Sequence, residues 1–529
     1  MVKALKKTAL VSSLTLMSRV LGLIRDALIA IYFGVSAQSD AFFIAFRPFD
    51  LVRKLFSEGI LNISFIPVFS KILIKDGKSK AASLFFSFFC FLTLVGTLMM
   101  LSGIIFAPFI IKIIAPGFAA FSYKSKLTII LFKIMLPYLC LILMSSICMG
   151  VLNSFENFGV PGFAPVVFNL VVILFTIIIS NYFNTPVVAL ALGVTIGGVL
   201  QLAVQIPFMV RLGILNSSLF SHFKLFFNFK QGFDFVFNSD LIKILKIMIP
   251  SMIGAASYQI NIMAASFFAS KLDTGSVSFI YYADRLVQFP LALFAVSTAM
   301  VLLPQLSKKA AVGQMDEIAH LFSNAVKLVF FVTIPAMAGL MALDEQIISF
   351  LFGHGAFNAS AIQQTSECLF FLSLGLWAFT GGRLFATLYY SLSNIKVPFY
   401  SGILTIGLNL IFCMLFINTY GLKGLVLSVS ISAVTGFIFL LINIPGAVKI
   451  DKSEIIVSAC RSLFLSVIMF FLVQQAAGFF LVPGINKFWF GTGVVFCISI
   501  GAGFYFLANY LISSPELKIL KQGMTQKKI

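Results

Sequence analysis

The sequence predicts an all-α integral membrane protein of about fourteen transmembrane helices. They form two parallel six-helix bundles plus two extra C-terminal helices. Three observations carry this expectation. Hydrophobic residues make up 60% of the 529 residues and charged residues only 10%, where a soluble domain carries about 25% charge. The apolar residues gather into runs of the roughly 20 residues that a helix needs to cross the hydrocarbon core. Cations are dense in one loop and sparse in the next, as membrane topology demands.

The first run, residues 8–33, follows Lys3, Lys6 and Lys7 in the manner of a signal peptide. It is too long for one, holds Arg19 and Arg25, and lacks a clear cleavage site, so a retained first helix is expected. Further spans are expected at 37–70, 81–111, 127–151, 161–181, 186–210, 241–270, 275–305, 319–342, 361–391, 398–418, 423–446, 455–476 and 488–512. The second, eighth and tenth exceed what a bilayer needs and should tilt or bend. Pro48 supplies a kink in the second and Pro290 in the eighth.

Loop charge orients these spans. Lys71, Lys75, Lys78 and Lys80, then Arg211, Lys224 and Lys230, then Lys308 and Lys309, Lys449 and Lys452, and the tail from Lys518 fall on one side. The opposite loops hold only Lys112, Lys124, Lys126, Lys271, Lys423 and Lys487. The positive-inside rule places both termini in the cytoplasm, which agrees with an even number of spans. Residues 212–240 form the longest loop. Phe220, Phe223, Phe226, Phe227, Phe229 and Phe233 around Lys224 and Lys230 read as an interfacial linker on the inner leaflet.

A weak repeat divides the chain. Ala45-Phe46-Arg47 with Pro67-Val68-Phe69-Ser70-Lys71 is echoed by Ala283-Asp284-Arg285 with Pro304-Gln305-Leu306-Ser307-Lys308, and Arg47 and Arg285 lie 238 positions apart. Six spans separate the copies, so both face the same way and the repeat is parallel. The expected domains are a bundle at 1–211, the linker at 212–240, a second bundle at 241–446 and two added helices with a tail at 447–529. Transporters built from such repeats hold substrate at the repeat interface.

Composition excludes several classes. The net charge of +19 suggests nucleic acid, but the cations sit in short loops and no basic arm or aromatic platform accompanies them. The seven cysteines lie in or beside apolar runs without metal spacing, so no disulfide framework is implied. His222, His320 and His354 are scattered. An enzyme acting on polyprenyl phosphates needs clustered acids for Mg²⁺, and Asp344-Glu345 is the nearest approach to one. No P-loop occurs. A non-enzyme without cofactor or metal is expected.

Residues 18–71 are the informative stretch. They are apolar enough to lie in a membrane, yet carry Arg19, Arg25, Arg47, Arg53 and Lys54 against Asp26, Asp40, Asp50 and Glu58. A charge at the bilayer centre costs roughly 2.5–3.5 kcal/mol on insertion scales and persists where it is paired or faces water. The excess is cationic, which predicts an anionic passenger. Arg19 and Asp26 are seven apart and share a helix face, with Gly22 between them. Asp40, Arg47, Lys54 and Glu58 form a stripe on the second span. Asp284 and Arg285 lie on the eighth with Gln288 a turn further on, and Arg383 on the tenth. An acid within a turn of an Arg neutralises it and locks helices, the reading for Asp26, Asp50, Asp284 and Glu58. Arg19, Arg25, Arg53 and Arg285 read as ligand-facing, because Arg presents a planar fork to phosphate. Lys54 and Arg383 stand between the two readings, and Arg47 reads as a packing residue. Lys133 and Lys327 are expected to snorkel. Asn409, the one ion-site candidate on the seventh, eleventh and twelfth spans, reads as a packing amide.

These residues carry a resemblance. Ser18-Arg19-Val20-Leu21-Gly22 with Arg25-Asp26, Ser39-Asp40-Ala41-Phe42-Phe43, Leu51-Val52-Arg53-Lys54-Leu55-Phe56-Ser57-Glu58-Gly59 and Phe65-Ile66-Pro67-Val68-Phe69 are similar to the MurJ (MviN) lipid II flippases. So are Ala115-Pro116-Gly117-Phe118, Phe163-Ala164-Pro165 with Asn169, Gly197-Gly198-Val199-Leu200-Gln201, and Tyr281-Tyr282-Ala283-Asp284-Arg285-Leu286 with Phe289-Pro290. The run of motifs in order is specific where each alone is weak. Two departures bear on local geometry. Asp50 stands where the family carries an amide, and Lys54 where a second Arg is common.

The resemblance implies a fourteen-helix MATE-like exporter whose first, second, seventh and eighth helices line a cationic cavity. It implies substrate-binding roles for Arg19, Arg25, Arg53 and Arg285, with Asp40 as the important acid. Asp26, Lys54, Glu58, Asp284 and Arg383 are secondary candidates. The implied partner is lipid II, the undecaprenyl-diphosphate-linked disaccharide-peptide, moved by a monomer from the inner to the outer leaflet of a bacterial cytoplasmic membrane. Export of another undecaprenyl-linked glycan, an O-antigen or capsule unit, is the alternative.

Overall fold

The computed structural model describes residues 2–56, 61–120, 122–215, 238–481 and 486–519, and these contain helices and no strand. In the first half the helices are α1 (Val2–Phe33), α2 (Ala37–Leu55), α3 (Leu61–Lys75), α4 (Gly77–Ile114), α5 (Ser122–Ser154), α6 (Gly159–Ile177), α7 (Val187–Ala203) and α8 (Ile206–Arg211). The second half has α9 (Ser239–Ala269), α10 (Ser276–Pro290), α11 (Ser297–Ala311), α12 (Met315–Ala342), α13 (Asp344–Phe352), α14 (Ala359–Ser373), α15 (Leu376–Ser391), α16 (Lys396–Ile442), α17 (Lys452–Phe480) and α18 (Lys487–Leu511).

Within the described residues every expected span falls on helix. Among the described residues nine helices are long and apolar enough to cross a membrane, and α14 with α15, bent by 44° at a short break, make a tenth as a pair. The chain is an integral membrane protein. α2 carries Asp40, Arg47, Asp50, Arg53 and Lys54 within 19 residues, too many for a lipid-facing span, so its stability comes from burial in protein. Its start is set by Ser36, whose hydroxyl accepts from the Ser39 N–H while Ser39 Oγ accepts from the Ser36 N–H. Such a reciprocal pair satisfies two of the orphan donors at a helix start.

The 238-residue repeat extends through the helix boundaries. Shifting α1 by 238 gives 240–271, where the chain has α9 at Ser239–Ala269. Shifting α4 gives 315–352, the combined extent of α12 and α13. Shifting α5 gives 360–392, occupied by α14 and α15. The second span is described as α2, to Leu55, and α3, from Leu61, with 57–60 outside the described residues. The long eighth span is interrupted midway, where α10 ends at Pro290 and passes through a six-residue π-helix, Leu291–Val296, into α11. Proline removes a ladder N–H, and the wider register lets Ser297 Oγ donate to the Ala292 carbonyl at 3.2 Å.

The expected eleventh and twelfth spans are one helical run, α16, that reverses at Gly421. Gly421 has φ +54° and ψ −130°, a conformation reserved for glycine. The arms lie antiparallel, Ser401 Oγ donating to the Gly436 carbonyl at 3.1 Å.

Two compact units divide the chain: Met1–Ala256 with Asp273–Val277, and Ser257–Leu272 with Ser278–Ile529. In the first, α5 is the hub and α2, α4 and α7 lie against it. α2 and α5 run parallel with a constant offset. Asp40 meets Lys124, and the Phe49 and Phe132 rings lie 5.3 Å apart. Most of the expected interfacial linker, 216–237, lies outside the described residues. Its end is anchored by Asn238, which caps α9 by accepting from Leu241 N–H and donates to Ser87 Oγ at 2.8 Å.

In the second unit α12 is the hub, with α15 and α17 beside it. Phe330, Trp377, Phe385 and Phe437 interlock edge to face. The two added helices pack on α12 through Phe331, Leu465, Met469, Val473 and Tyr505. Lys327, expected to snorkel, instead donates to Glu454 at 2.8 Å and ties α12 to the start of α17.

Candidate functional site

Six charged residues of α1 and α2 fall into three clusters in the first unit. In one, Arg25 donates from Nε and Nη2 to Asp26 Oδ1 at 3.0 and 2.8 Å, and from Nη1 to Asn169 Oδ1 at 3.1 Å. Asn169 Nδ2 in turn donates to the Ser18 carbonyl. Arg25 and Asp26 are both buried. Helical spacing put Asp26 on one face with Arg19; the structure pairs it with its neighbour Arg25, and through Asn169 the pair binds α1 to α6. Arg19 is half-buried on the same helix. Gly22 faces Asn169, but a methyl there would meet Nδ2 only at an ordinary 3.7 Å, so alanine in its place would leave α1 and α6 as close.

In the second cluster Asp50 serves two cations. Arg53 donates from Nη2 at 2.5 Å and Nε at 3.2 Å to Oδ1, and Lys54 Nζ lies 2.9 Å from Oδ2. The three side chains sum to one positive charge. Lys54 is buried whereas Arg53 is a quarter exposed, at 26%. The spacing explains the arrangement, since residues three and four apart share a helix face. Glu58, next on that face, lies outside the described residues.

The third cluster is Asp40, fully enclosed at 0% exposure. Its Oδ2 accepts from Lys124 Nζ at 2.6 Å and from the Gly275 N–H at 2.7 Å. Lys124 Nζ also lies 4.2 Å from the centre of the Phe118 ring. Gly275 has φ +104°, which a residue with a Cβ adopts only under strain, and it is this conformation that carries its N–H to Asp40. The structure therefore places Asp40 in a buried lock between α2, α5 and the segment 273–277. Lys124, read from the sequence as a loop cation, is its partner.

In the second unit Asp284 accepts from the Tyr258 hydroxyl at 2.5 Å and from Gln288 Nε2. Arg285 donates from Nη2 to the Tyr281 hydroxyl at 3.0 Å, its guanidinium lying 5.2 Å from the centre of that ring. The acid is thus held by two neutral donors while the half-buried cation is oriented by an aromatic neighbour. Arg383, also half-buried, follows Gly381, where a Cβ would come within 2.7 Å of Phe437. Asn409 is fully buried and donates to the Asn261 carbonyl at 3.0 Å.

The structure brings Arg53 and Lys54 together and commits Arg25 and Asp40 to buried pairs. Lys124, Tyr258 and the role of Asn169 were missed by reading along the chain. Lys124 carries no local signal because its partner is 84 residues away. Asn169 entered the sequence reading only as part of a family motif. Among the described residues no three His, Cys, Asp or Glu side chains come together as metal ligands.

Residues 29–499 match the model of a protein family described as "Lipid II flippase MurJ". A protein of Buchnera aphidicola subsp. Acyrthosiphon pisum, named probable lipid II flippase MurJ, is 33% identical over 488 residues, 91% of this chain and 93% of its own. One of the same name from Vibrio cholerae serotype O1 is 34% identical over 438 residues, 82% and 81% of the two chains. Among solved structures, a lipid II flippase MurJ in an inward closed conformation superposes with a TM-score of 0.76 at 27% identity, covering 95% of this chain and 99% of that one. An inward-facing MATE family transporter of the MOP superfamily superposes with 0.64 at 13% identity, covering 86% and 98%; that likeness is one of fold.

Proposed function

The chain belongs to the lipid II flippase MurJ family, and from that membership we propose that it carries lipid II across the membrane by alternating access. It is a transporter rather than a catalyst. The observation that carries the reading on this chain is the Asp50 carboxylate shared between Arg53 and Lys54. A spanning helix holds two cations on one acid, with Arg53 partly open, where a diphosphate can compete for them. Phosphate is the ligand that guanidinium forks and ammonium groups bind best together. The prenyl tail can stay in lipid while the charged headgroup crosses within protein.

In this reading Arg19, Arg25, Arg53 and Lys54 of the first unit serve the diphosphate and headgroup, and Arg285 of the second unit is a separate candidate cation. Asp40 acts through its buried pair with Lys124 rather than on substrate. Asp26 and Asp284 hold their neighbours in place, and Arg383 is an auxiliary cation. The protein works as a monomer in the bacterial cytoplasmic membrane with both termini in the cytoplasm, the orientation that loop charge favours.

The test is depletion of a host's own lipid II flippase with this chain supplied on a plasmid. Growth should be rescued, and rescue should fail in Arg19→Ala, Arg53→Ala and Arg285→Ala at equal membrane levels. Insertion without rescue would favour export of another undecaprenyl-linked glycan. Rescue that survives all three substitutions would discard the site.

A further inference from the structure

Tyr138 on α5 is completely enclosed, and its hydroxyl meets no hydrogen-bond partner. Buried tyrosines normally find one, and an unmet polar group inside protein is destabilising. Phenylalanine, abundant in this chain, would fill the space without that cost. The ring is held in place. Phe168 of α6 lies 5.4 Å from it, and at Gly198 of α7 a Cβ would fall 2.5 Å from its Cδ2. The α7 backbone therefore lies directly against the ring.

The register between α2 and α5 locates the hydroxyl. Asp40 opposite Lys124 and Phe49 opposite Phe132 set an offset of 83–84 residues. A methyl on Gly150 would sit 3.2 Å from Phe65, which continues the same register onto α3. Tyr138 is then level with residues 54–55, at the Arg53–Lys54 end of α2.

We propose that the Tyr138 hydroxyl is a donor to a phosphate oxygen in the transport site, acting beside Arg53 and Lys54. The proposal rests on the lipid II reading above and adds a neutral donor to a site otherwise described by its charges. When the diphosphate draws Arg53 and Lys54 from Asp50, the phenol O–H supplies a directed hydrogen bond that the two cations alone do not. A buried hydroxyl that no protein group satisfies is available to a ligand oxygen.

The experiment uses full-length protein in phosphatidylethanolamine–phosphatidylglycerol vesicles carrying fluorescent lipid II, with Tyr138→Phe beside wild type. Binding of lipid II and of cardiolipin is measured in parallel. The expected result is flipping slowed by about tenfold to a hundredfold, the loss of one hydrogen bond to a charged group. Lipid II binding should weaken, cardiolipin binding should not change, and the melting temperature should be equal or higher. Gly198→Ala, which displaces the ring, should lower flipping in the same direction. Wild-type flipping in Tyr138→Phe would overturn the proposal. A lowered melting temperature with flipping reduced in step would overturn it also, since the hydroxyl would then be structural. Equal weakening of both lipids would overturn it in favour of a general anion contact. If wild type flips no lipid II at all, the substrate reading falls first and takes the proposal with it.

Discussion

Lys124 Nζ lies 2.6 Å from Asp40 Oδ2, with both side chains buried, although 84 residues separate them. Removing one partner of such a pair strands a charge in an apolar interior, which costs about 3–5 kcal/mol, while replacing both is far milder. Lys124→Met should therefore lower the melting temperature sharply, and Asp40→Asn with Lys124→Met should recover most of the loss. A double-mutant cycle by thermal unfolding in detergent measures this. Additive effects of the two changes would show that the contact is not energetically coupled.

Arg53 reaches one oxygen of Asp50 with two nitrogens. Arg53→Lys keeps the charge and loses the fork. Because Arg53 is partly exposed, stability should change by less than about 1 kcal/mol. Flipping should fall by about tenfold, because lysine binds phosphate as a point charge. Equal flipping rates in wild type and variant vesicles would show that charge alone is needed there.

Asp344 begins the short helix α13, outside the spanning segments. Burial, with Glu345 and Glu367 adding to it, pushes its carboxyl up to about 6 against an ordinary 3.8, despite the opposing hydrogen bond from the Glu345 N–H. The folded protein thus binds more protons than the unfolded chain between pH 4 and 6, and stability falls as pH rises through that window. Asp344→Asn should flatten this part of the pH–melting profile and raise the melting temperature near pH 7. An unchanged slope between pH 4 and 6 would assign the dependence to another group.

Gly421 has open space around it, so its φ of +54° rather than crowding is what a side chain would violate. Gly421→Ala should cost about 1–3 kcal/mol, read as a lower melting temperature with little change in flipping per folded molecule. Gly407→Ala, on the same run with a helical backbone and equal space, is the control and should be neutral or slightly stabilising.

The helices were legible because each depends on a local run of apolar residues, and their ends on nearby prolines, glycines and charges. The reversal at Gly421 lay between two expected spans for the same reason. The partners of the charges were less legible. Asp26 was read as neutralising an arginine within a turn, and Arg25 is such an arginine; helical phase, which put Asp26 on a face with Arg19, did not single it out. Lys124 sat in a position that loop charge explains equally well, and only tertiary packing distinguishes a topological lysine from a buried one. Tyr138 was one aromatic in an apolar helix. The glycine pair Gly197-Gly198 entered only as part of a family motif, and the ring lying against it was not read.

The hydrogen bond from Gly275 to Asp40 spans 235 residues and has a consequence in time. During translation the ribosome delivers α1 to α8 long before Gly275 exists. Until then Asp40 has Lys124 alone of these two partners. The first unit includes Asp273–Val277, so its last piece is made after the second repeat has begun. Chains that fold as they emerge complete earlier domains first; here the earlier half waits for a stitch from the later one. Arresting synthesis shortly before and shortly after residue 275 emerges should therefore change the protease resistance of the first half.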